Sequence, residues 1–296
     1  MIPETCPPMK LAVLADIHAN YRGLLAVAED IARWQPDLTI VAGDIVNRGP
    51  RPLDCWQFVR ARQQADNWLV MRGNHEDYVL SHAWEPRRGL EAEFHRVSQW
   101  TYERLRPVIH EIAGLPDRLQ LRAPDGSEVR VLHASMRHNR DGIYPENSDA
   151  EIRERIAPAP QDGLFLTGHT HRPLIRQVDE TLVVNVGSAG VPFDRDPRPG
   201  YAQLTWGADG WQARIVRVDY DLPAAQRDFF ESGFCEQAGP LTRLMLSEMT
   251  FAHSQLYGWV IKYRDSILNG THTMASAMQE HIQTHPHLYQ ALPQPS

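Results

Sequence analysis

"LAVLADIHAN" (residues 11–20) decides how this chain is read, because a short apolar run stops abruptly on Asp16-Ile17-His18. Such a run, bounded by polar residues, predicts a buried strand. Residues i and i+2 of an extended segment face the same side, so Asp16 and His18 can turn a carboxylate and an imidazole toward one ion. His169 and His171 in "GHTH" (168–171) repeat that spacing and are expected to do the same.

The pattern recurs along the first 170 residues. "KLAVLAD" (10–16), "LTIVAGD" (38–44), "NWLVMRGN" (67–74), "EVRVLHA" (128–134) and "GLFLTGH" (163–169) are brief apolar runs that each end on a polar residue or glycine. Helix-like stretches at 21–34, 52–65 and 91–105 lie between several of them, which favours β-α-β units over an all-β sandwich. In an open α/β sheet ligands gather at the carboxyl ends of the strands. The five endings are Asp16-x-His18, Gly43-Asp44, Gly73-Asn74-His75-Glu76, His133 and Gly168-His169-Thr170-His171, and they are expected to converge on one crevice. A mixed oxygen and nitrogen set without thiolates suits Mn²⁺, Fe or Zn²⁺ better than Ca²⁺ or Cu(I). Burying that many Asp and His side chains without a cation would carry a large desolvation cost.

Composition is that of an ordered globular protein. The chain has 296 residues, 42% hydrophobic and 23% charged, enough for one large α/β domain or a domain with an appendage. A formal charge of −7 argues against a protein that grips a nucleic-acid backbone. Cys6, Cys55 and Cys235 form an odd, scattered set, which indicates neither a disulfide framework nor a thiolate zinc site. "MIPETCPPMK" lacks an apolar signal core and no stretch nears 18 consecutive apolar residues, so no membrane association and a cytoplasmic location are expected.

Between 173 and 218, "PLIRQV", "LVVNVG", "YAQLTW" and "WQARIVRVDY" predict strands joined by short turns, with "ADG" (208–210) as a hairpin signal. From Leu222 onward the spacing turns helical. The expected organisation is a loose tail over 1–9, a catalytic domain over 10–221 and a helical extension over 222–296. The extension's apolar stripe can pack on the main domain, wall the site, or form a homodimer contact.

The ordered series of motifs resembles the calcineurin-like metallophosphoesterase superfamily, in particular its small bacterial phosphatases, phosphodiesterases and dinucleoside polyphosphate hydrolases. The match runs from residue 10 to about 190. It implies a four-layer α/β/β/α sandwich of two mixed sheets flanked by helices, with the site at their shared edge. It also implies two divalent cations, Mn²⁺ favoured. Asp16, His18 and His171 would hold the first, Asp44 would bridge, and Asn74, His133 and His169 would complete the second. A hydroxide shared by ions ~3.5–4 Å apart would attack phosphorus. His75 has no ligand role in that scheme and is the candidate to protonate the leaving oxygen.

One departure stands out in "GDIVNRG" (43–49). The protein Ser/Thr phosphatases carry aspartate where this chain has Asn47. Asn47 is expected to accept a hydrogen bond from His75 without supplying full charge, unless Asp77 takes over that role. Arg48 is a candidate phosphate clamp, with Asn47 and Asn74 beside it as further substrate contacts. Ser188 is a candidate ligand contact, and the polar loop 133–149, with Arg137, His138, Arg140 and Tyr144, could meet a second phosphate or a base. The expected function is hydrolysis of a small phosphorylated molecule, a nucleotide phosphoanhydride such as a dinucleoside polyphosphate favoured. Cyclic nucleotides, phosphomonoesters and phosphoproteins are alternatives. From other classes, a metal-poor interaction module and a DNA nuclease are the rivals.

Overall fold

The computed structural model describes residues 9–85, 87–158 and 163–293. The expected N-terminal tail, apart from Met9, lies outside the described residues. The first sheet is built on β1 (Met9–Leu14), which lies parallel to β2 (Leu38–Ala42), itself parallel to β3 (Trp68–Met71). On the other side β9 (Gly200–Gly207) runs antiparallel to β1, and β10 (Gly210–Arg217) antiparallel to β9. The second sheet has the order β4 (Arg118–Arg122), β5 (Glu128–Leu132), β6 (Leu164–Thr167), β8 (Thr181–Asn185) and β7 (Leu174–Val178). Strands β5, β6 and β8 are parallel, whereas β4 and β7 are antiparallel edges.

Both faces of each sheet are covered, which explains the unbroken apolar runs in the sequence. Leu11, Val13, Ile40 and Met71 of the first sheet meet Val129, Val131, Leu166 and Val184 of the second. The opposite face of β1 and β2 lies under α1 (Tyr21–Trp34) and α2 (Pro52–Ala65), where Ala12, Leu14 and Val41 meet Leu24, Val27, Ile31 and Trp56. On the far side, Ile152 and Ile156 of α7 (Asp149–Ile156) cover Phe165 and Val183. The result is the expected α/β/β/α sandwich. Helices α1 and α2 fall where the periodicity placed them, and Gly210, at φ +82°, makes the predicted hairpin turn.

Other elements depart from expectation. The helix read over 91–105 divides at His95 into α4 (Gly89–Phe94) and α5 (Arg96–Leu105). α3 (Asn74–Ser81) starts on the Asn-His pair itself, and α6 (Ile109–Ala113) precedes β4. Strand β4 escaped the sequence reading because it is an edge strand: Arg118, Gln120 and Arg122 face solvent, and only Leu119 and Leu121 touch the core.

From Leu222 the chain is helical: α8 (Leu222–Glu231), α9 (Phe234–Gln237), α10 (Thr242–Phe251), α11 (Leu256–Leu268) and α12 (Met274–Thr284). Their apolar faces enclose Phe229, Phe234, Leu244, Trp259, Tyr263 and Met278, and they close over Val97 and Trp100 of α5. The extension therefore packs on the main body. Asp228 of α8, only 2% exposed, fastens it by accepting from Arg22 (3.0 Å) and Arg51 (2.7 Å). Removing that carboxylate strands two guanidinium groups against α8. Asp228→Ala is expected to cost about 1–3 kcal/mol and to expose the extension to limited proteolysis; an unchanged melting temperature and digestion pattern would contradict the anchoring role.

Candidate metal centre

Each ending singled out in the sequence arrives at one edge of the sandwich, though not in the expected backbone form. Asp16 (φ 55°), His18 (φ 47°), Asp44 (φ 55°), His169 (φ 68°) and His171 (φ 57°) are all left-handed. The same-side argument from extended geometry therefore fails at both pairs. Asp16 and His18 do meet at one point, but His169 and His171 separate. His171 joins Asp16 and His18, whereas His169 joins Asp44 and His133; in each triad the candidate donor atoms lie within 4.8 Å of one another.

Non-glycine residues in this region cost about 1–3 kcal/mol each and persist only where their surroundings impose them. Here the surroundings are backbone hydrogen bonds between strand ends. The Asp16 amide donates to the Gly43 carbonyl (3.1 Å), His18 to Asp44 (3.0 Å), and Ala189 to Ala15 (2.8 Å). Ser188 proves to be part of this scaffold: its hydroxyl donates to the Asp16 carbonyl (2.7 Å) and accepts from the Val191 amide (2.7 Å).

Which ring nitrogens face inward is set by the carbonyls behind them. His133 Nδ1 lies 2.9 Å from the Ala42 carbonyl, so it donates there and directs Nε2 inward. His169 Nε2 lies 3.2 Å from the Arg140 carbonyl, which directs Nδ1 inward, and His171 Nδ1 donates to the Val191 carbonyl. Histidines that ligate metals are oriented in this way. At one focus the inward atoms are His133 Nε2 and His169 Nδ1, each 2.9 Å from Asn74 Oδ1, with Asp44 Oδ2 3.1 Å from His133 Nε2. At the other, His171 Nε2 stands 3.0 Å from His18 Nε2 and 3.3 Å from Asp16 Oδ1. Asp16 Oδ1 is buried with no hydrogen-bond partner. Lone pairs thus converge around Asn74 Oδ1 at the first focus, and at the second the His171 lone pair faces the unpartnered Asp16 Oδ1. Positive charge answers that arrangement, and the donors fit divalent cations with mixed oxygen and imidazole ligation.

The titration behaviour has the same cause. Burial by itself would raise the pKa of Asp44, but His133 and His75 hold it well below the ordinary carboxylate value. Burial would lower His133, yet the Asp44 carboxylate beside it and the charge of Asp16 lift it to about 10. His169, deprived of solvent and facing His133, falls to about 4. A proton on His133 and a cation answer the same buried charge.

Glu76 is the functional residue the sequence reading passed over. It is fully buried, and its two oxygens accept from the amides of Asp44, Ile45 and Gly73 at 2.8 Å and of Val46 at 3.0 Å. Burial and the charge of Asp44 push its pKa up to about 7. It clamps the β2 turn to the start of α3. Gly73 is required there for space, since a Cβ would fall 2.2 Å from Asp44 Oδ1.

His75 stands at the mouth, half-buried, with its ring 4.7 Å from that of His18. One of its nitrogens lies within 4.8 Å of donor atoms of His18 and Asp44, so it too reaches the ligand cluster. Asn47 contacts it in the sense opposite to that expected: the amide Nδ2 donates to His75 Nδ1 (2.9 Å), while Asn47 Oδ1 faces the Thr101 hydroxyl. This holds the imidazole as the Nε2–H tautomer. Burial drives its pKa well below normal, against the pull of Asp44. Asp77 does not substitute for the missing carboxylate, because it pairs with Arg72 (3.2 Å) and accepts from Asn139 (2.6 Å). Nor is Arg48 a free clamp. Its guanidinium pairs with the buried Glu248 of α10, whose Oε1 also accepts the amides of Gln255 (2.7 Å) and Leu256 (2.9 Å) at the start of α11. No sequence signal pointed to Glu248, an isolated acid 200 residues from its arginine.

Residues 9–209 match the calcineurin-like phosphoesterase superfamily domain, and the chain belongs to that superfamily of hydrolases acting on phosphoesters. It is similar to an uncharacterized protein of Methanocaldococcus jannaschii, 26% identical over 257 residues, covering 77% of this chain and 95% of that one. Among solved structures it resembles a metallophosphoesterase from Sphaerobacter thermophilus (25% identity, TM-score 0.65, 83% of this chain and all of the other). A hypothetical protein from Pyrococcus horikoshii shares the fold at 19% identity, with a TM-score of 0.70 over 83% of this chain and 99% of that one. None of the described helices is long and apolar enough to cross a membrane.

Glu76→Gln turns an amide NH₂ toward backbone donors and should loosen the Asp44 turn. Titration calorimetry with Mn²⁺ is expected to show ~10–100-fold weaker binding; wild-type affinity would mean that Glu76 plays no part in shaping the centre.

Proposed function

We propose that this chain hydrolyses small phosphorylated molecules with a pair of divalent cations, of which Mn²⁺ is the first to test. The observation that carries this reading is the convergence of two Asp/His triads whose inward atoms are all electron-pair donors. Asp16, His18 and His171 would hold one cation, Asn74, His133 and His169 the other, and Asp44 lies within reach of both groups. Cations there supply Lewis acidity toward phosphate oxygens and activate a water as nucleophile near neutral pH.

The chain's own residues do the rest. Asn47, by donating to His75 Nδ1, keeps a proton on Nε2. Among the described residues no hydrogen-bond partner is recorded for that Nε2, so its N–H is available to the leaving oxygen. Arg48, drawn back by Glu248, contributes positive potential at the mouth rather than a bidentate grip. Neither a homodimer contact nor a cytoplasmic location enters this reading.

Phosphate release with Mn²⁺ from diadenosine tetraphosphate, cyclic nucleotides and p-nitrophenyl esters, with and without chelator, is the direct test. Turnover is expected to vanish with chelation. His75→Ala should retain metal and lose roughly 10²–10⁴-fold in turnover, and unchanged turnover would remove it from the reaction. Asp44→Asn should fall further, since one side chain serves both groups, and wild-type activity would refute the shared ligand.

A further inference from the structure

Beside His75 the protein encloses a pocket of about 320 Å³, within the size range of small-molecule sites. Asn47, Arg48 and His75 line it, and His75 also reaches the candidate metal centre, so the pocket adjoins that centre. The opposite walls are Phe94 and Val97 of the α4–α5 segment, Met245 of α10 and Val260 of α11. The helical extension therefore supplies part of the wall of a cavity that the phosphoesterase domain alone would leave open.

Three polar side chains in that lining, Ser98, Asn47 and Arg48, are committed to protein partners. Ser98 donates to the His95 carbonyl (3.0 Å) and contacts His82 Nε2 (2.8 Å). Asn47 spans His75 and Thr101, and Arg48 belongs to Glu248. Arg264 is half-exposed and comes no closer to a carboxylate than 3.8 Å, at Asp265. What remains for a ligand is mainly apolar surface, with the side chains of Tyr78 and His95 and one guanidinium as its polar groups.

We propose that this pocket seats the leaving group, and that the substrate is a phosphate ester of an alcohol bearing an apolar, ring-sized group. This rests on the hydrolase reading above. If His75 protonates the departing oxygen, whatever that oxygen is bonded to projects past the imidazole into the pocket. Water adds to phosphorus, the P–O bond to the alcohol breaks, and the Nε2 proton of His75 passes to the alcohol oxygen; His75 is reprotonated by the proton the water gives up. A phosphoanhydride would press a charged phosphate against Phe94, Val97 and Met245, a desolvation without compensation. A nucleobase would meet mostly apolar surface, with only Tyr78 and His95 placed to answer its hydrogen-bonding edges.

The test compares kcat/KM for 2-phenylethyl and ethyl phosphate, each as monoester and as methyl diester, with Mn²⁺. The two alcohols differ little in acidity, so the ratio reads the pocket and not the chemistry. The phenylethyl ester is expected to be favoured on the order of 10–100-fold. Val260→Trp, at a half-buried position, should fill the pocket and erase that preference. Leu256→Trp serves as a second filling variant if the first misfolds. Fluorescence titration with 1-naphthol reads the same pocket without turnover, and binding should be lost in the filled variants. Equal kcat/KM for both esters, faster turnover of diadenosine tetraphosphate than of either, or naphthol binding indifferent to the substitutions overturns the proposal. Failure to turn over any phosphate compound with any divalent cation would instead bring down the hydrolase reading.

Discussion

Two carboxylates, Asp16 and Asp44, sit in the dry seam between two sheets, at 0% and 1% exposure. Removing a carboxylate from water costs several kcal/mol unless opposite charge or hydrogen bonds compensate. Much of the surrounding architecture supplies that compensation. Imidazoles approach from both sheets, and each carboxylate also accepts a main-chain amide: Asp16 from His169 and Asp44 from His75, both at 2.8 Å. These amides come from segments that follow other strands, so the charges knit strand ends together as well as gathering ligands.

The backbone gives up its usual geometry to achieve this. Side chains leaving an extended strand alternate between its two faces, and neither face looks along the sheet edge. A left-handed turn immediately after the strand redirects the side chain over that edge, which is why ligand after ligand adopts it. Hydrogen bonds crossing between strand ends, together with Glu76 under the β2 turn, hold these residues in a conformation they would not choose alone. Rigidity of this kind suits a centre whose donor atoms must stay aimed before substrate arrives.

The helical extension takes part in that economy. Glu248 draws the Arg48 guanidinium toward α10 and at the same time caps the first amides of α11. Asp228 performs the same fastening at α1 and α2. Docking of the extension is thus coupled, through Arg48, to the loop that carries Asp44 and Asn47. The contribution of Phe94, Met245 and Val260 to one pocket follows from that docking.

The sequence by itself determined the layered α/β core, the positions of α1 and α2 and the β9–β10 hairpin, and it singled out the Asp and His side chains that the fold brings together. These rest on local regularities: apolar runs covered on both faces, helical periodicity, and a polar residue wherever a buried strand reaches the edge. The division of the candidate ligands was implied by the family resemblance and not by their spacing, and its physical cause lies in the tertiary structure. His169 and His171 are two residues apart but belong to different foci, because left-handed turns replaced the extended geometry that spacing assumes. The tertiary structure decided that Asn47 donates to His75 rather than accepts, since the amide nitrogen and not the oxygen faces the imidazole. It also recruited Glu76 and Glu248, whose importance lies in burial against amides and an arginine distant in sequence. Edge strand β4 was illegible for the same reason, because its identity comes from the neighbour it pairs with and not from its own alternation of charge.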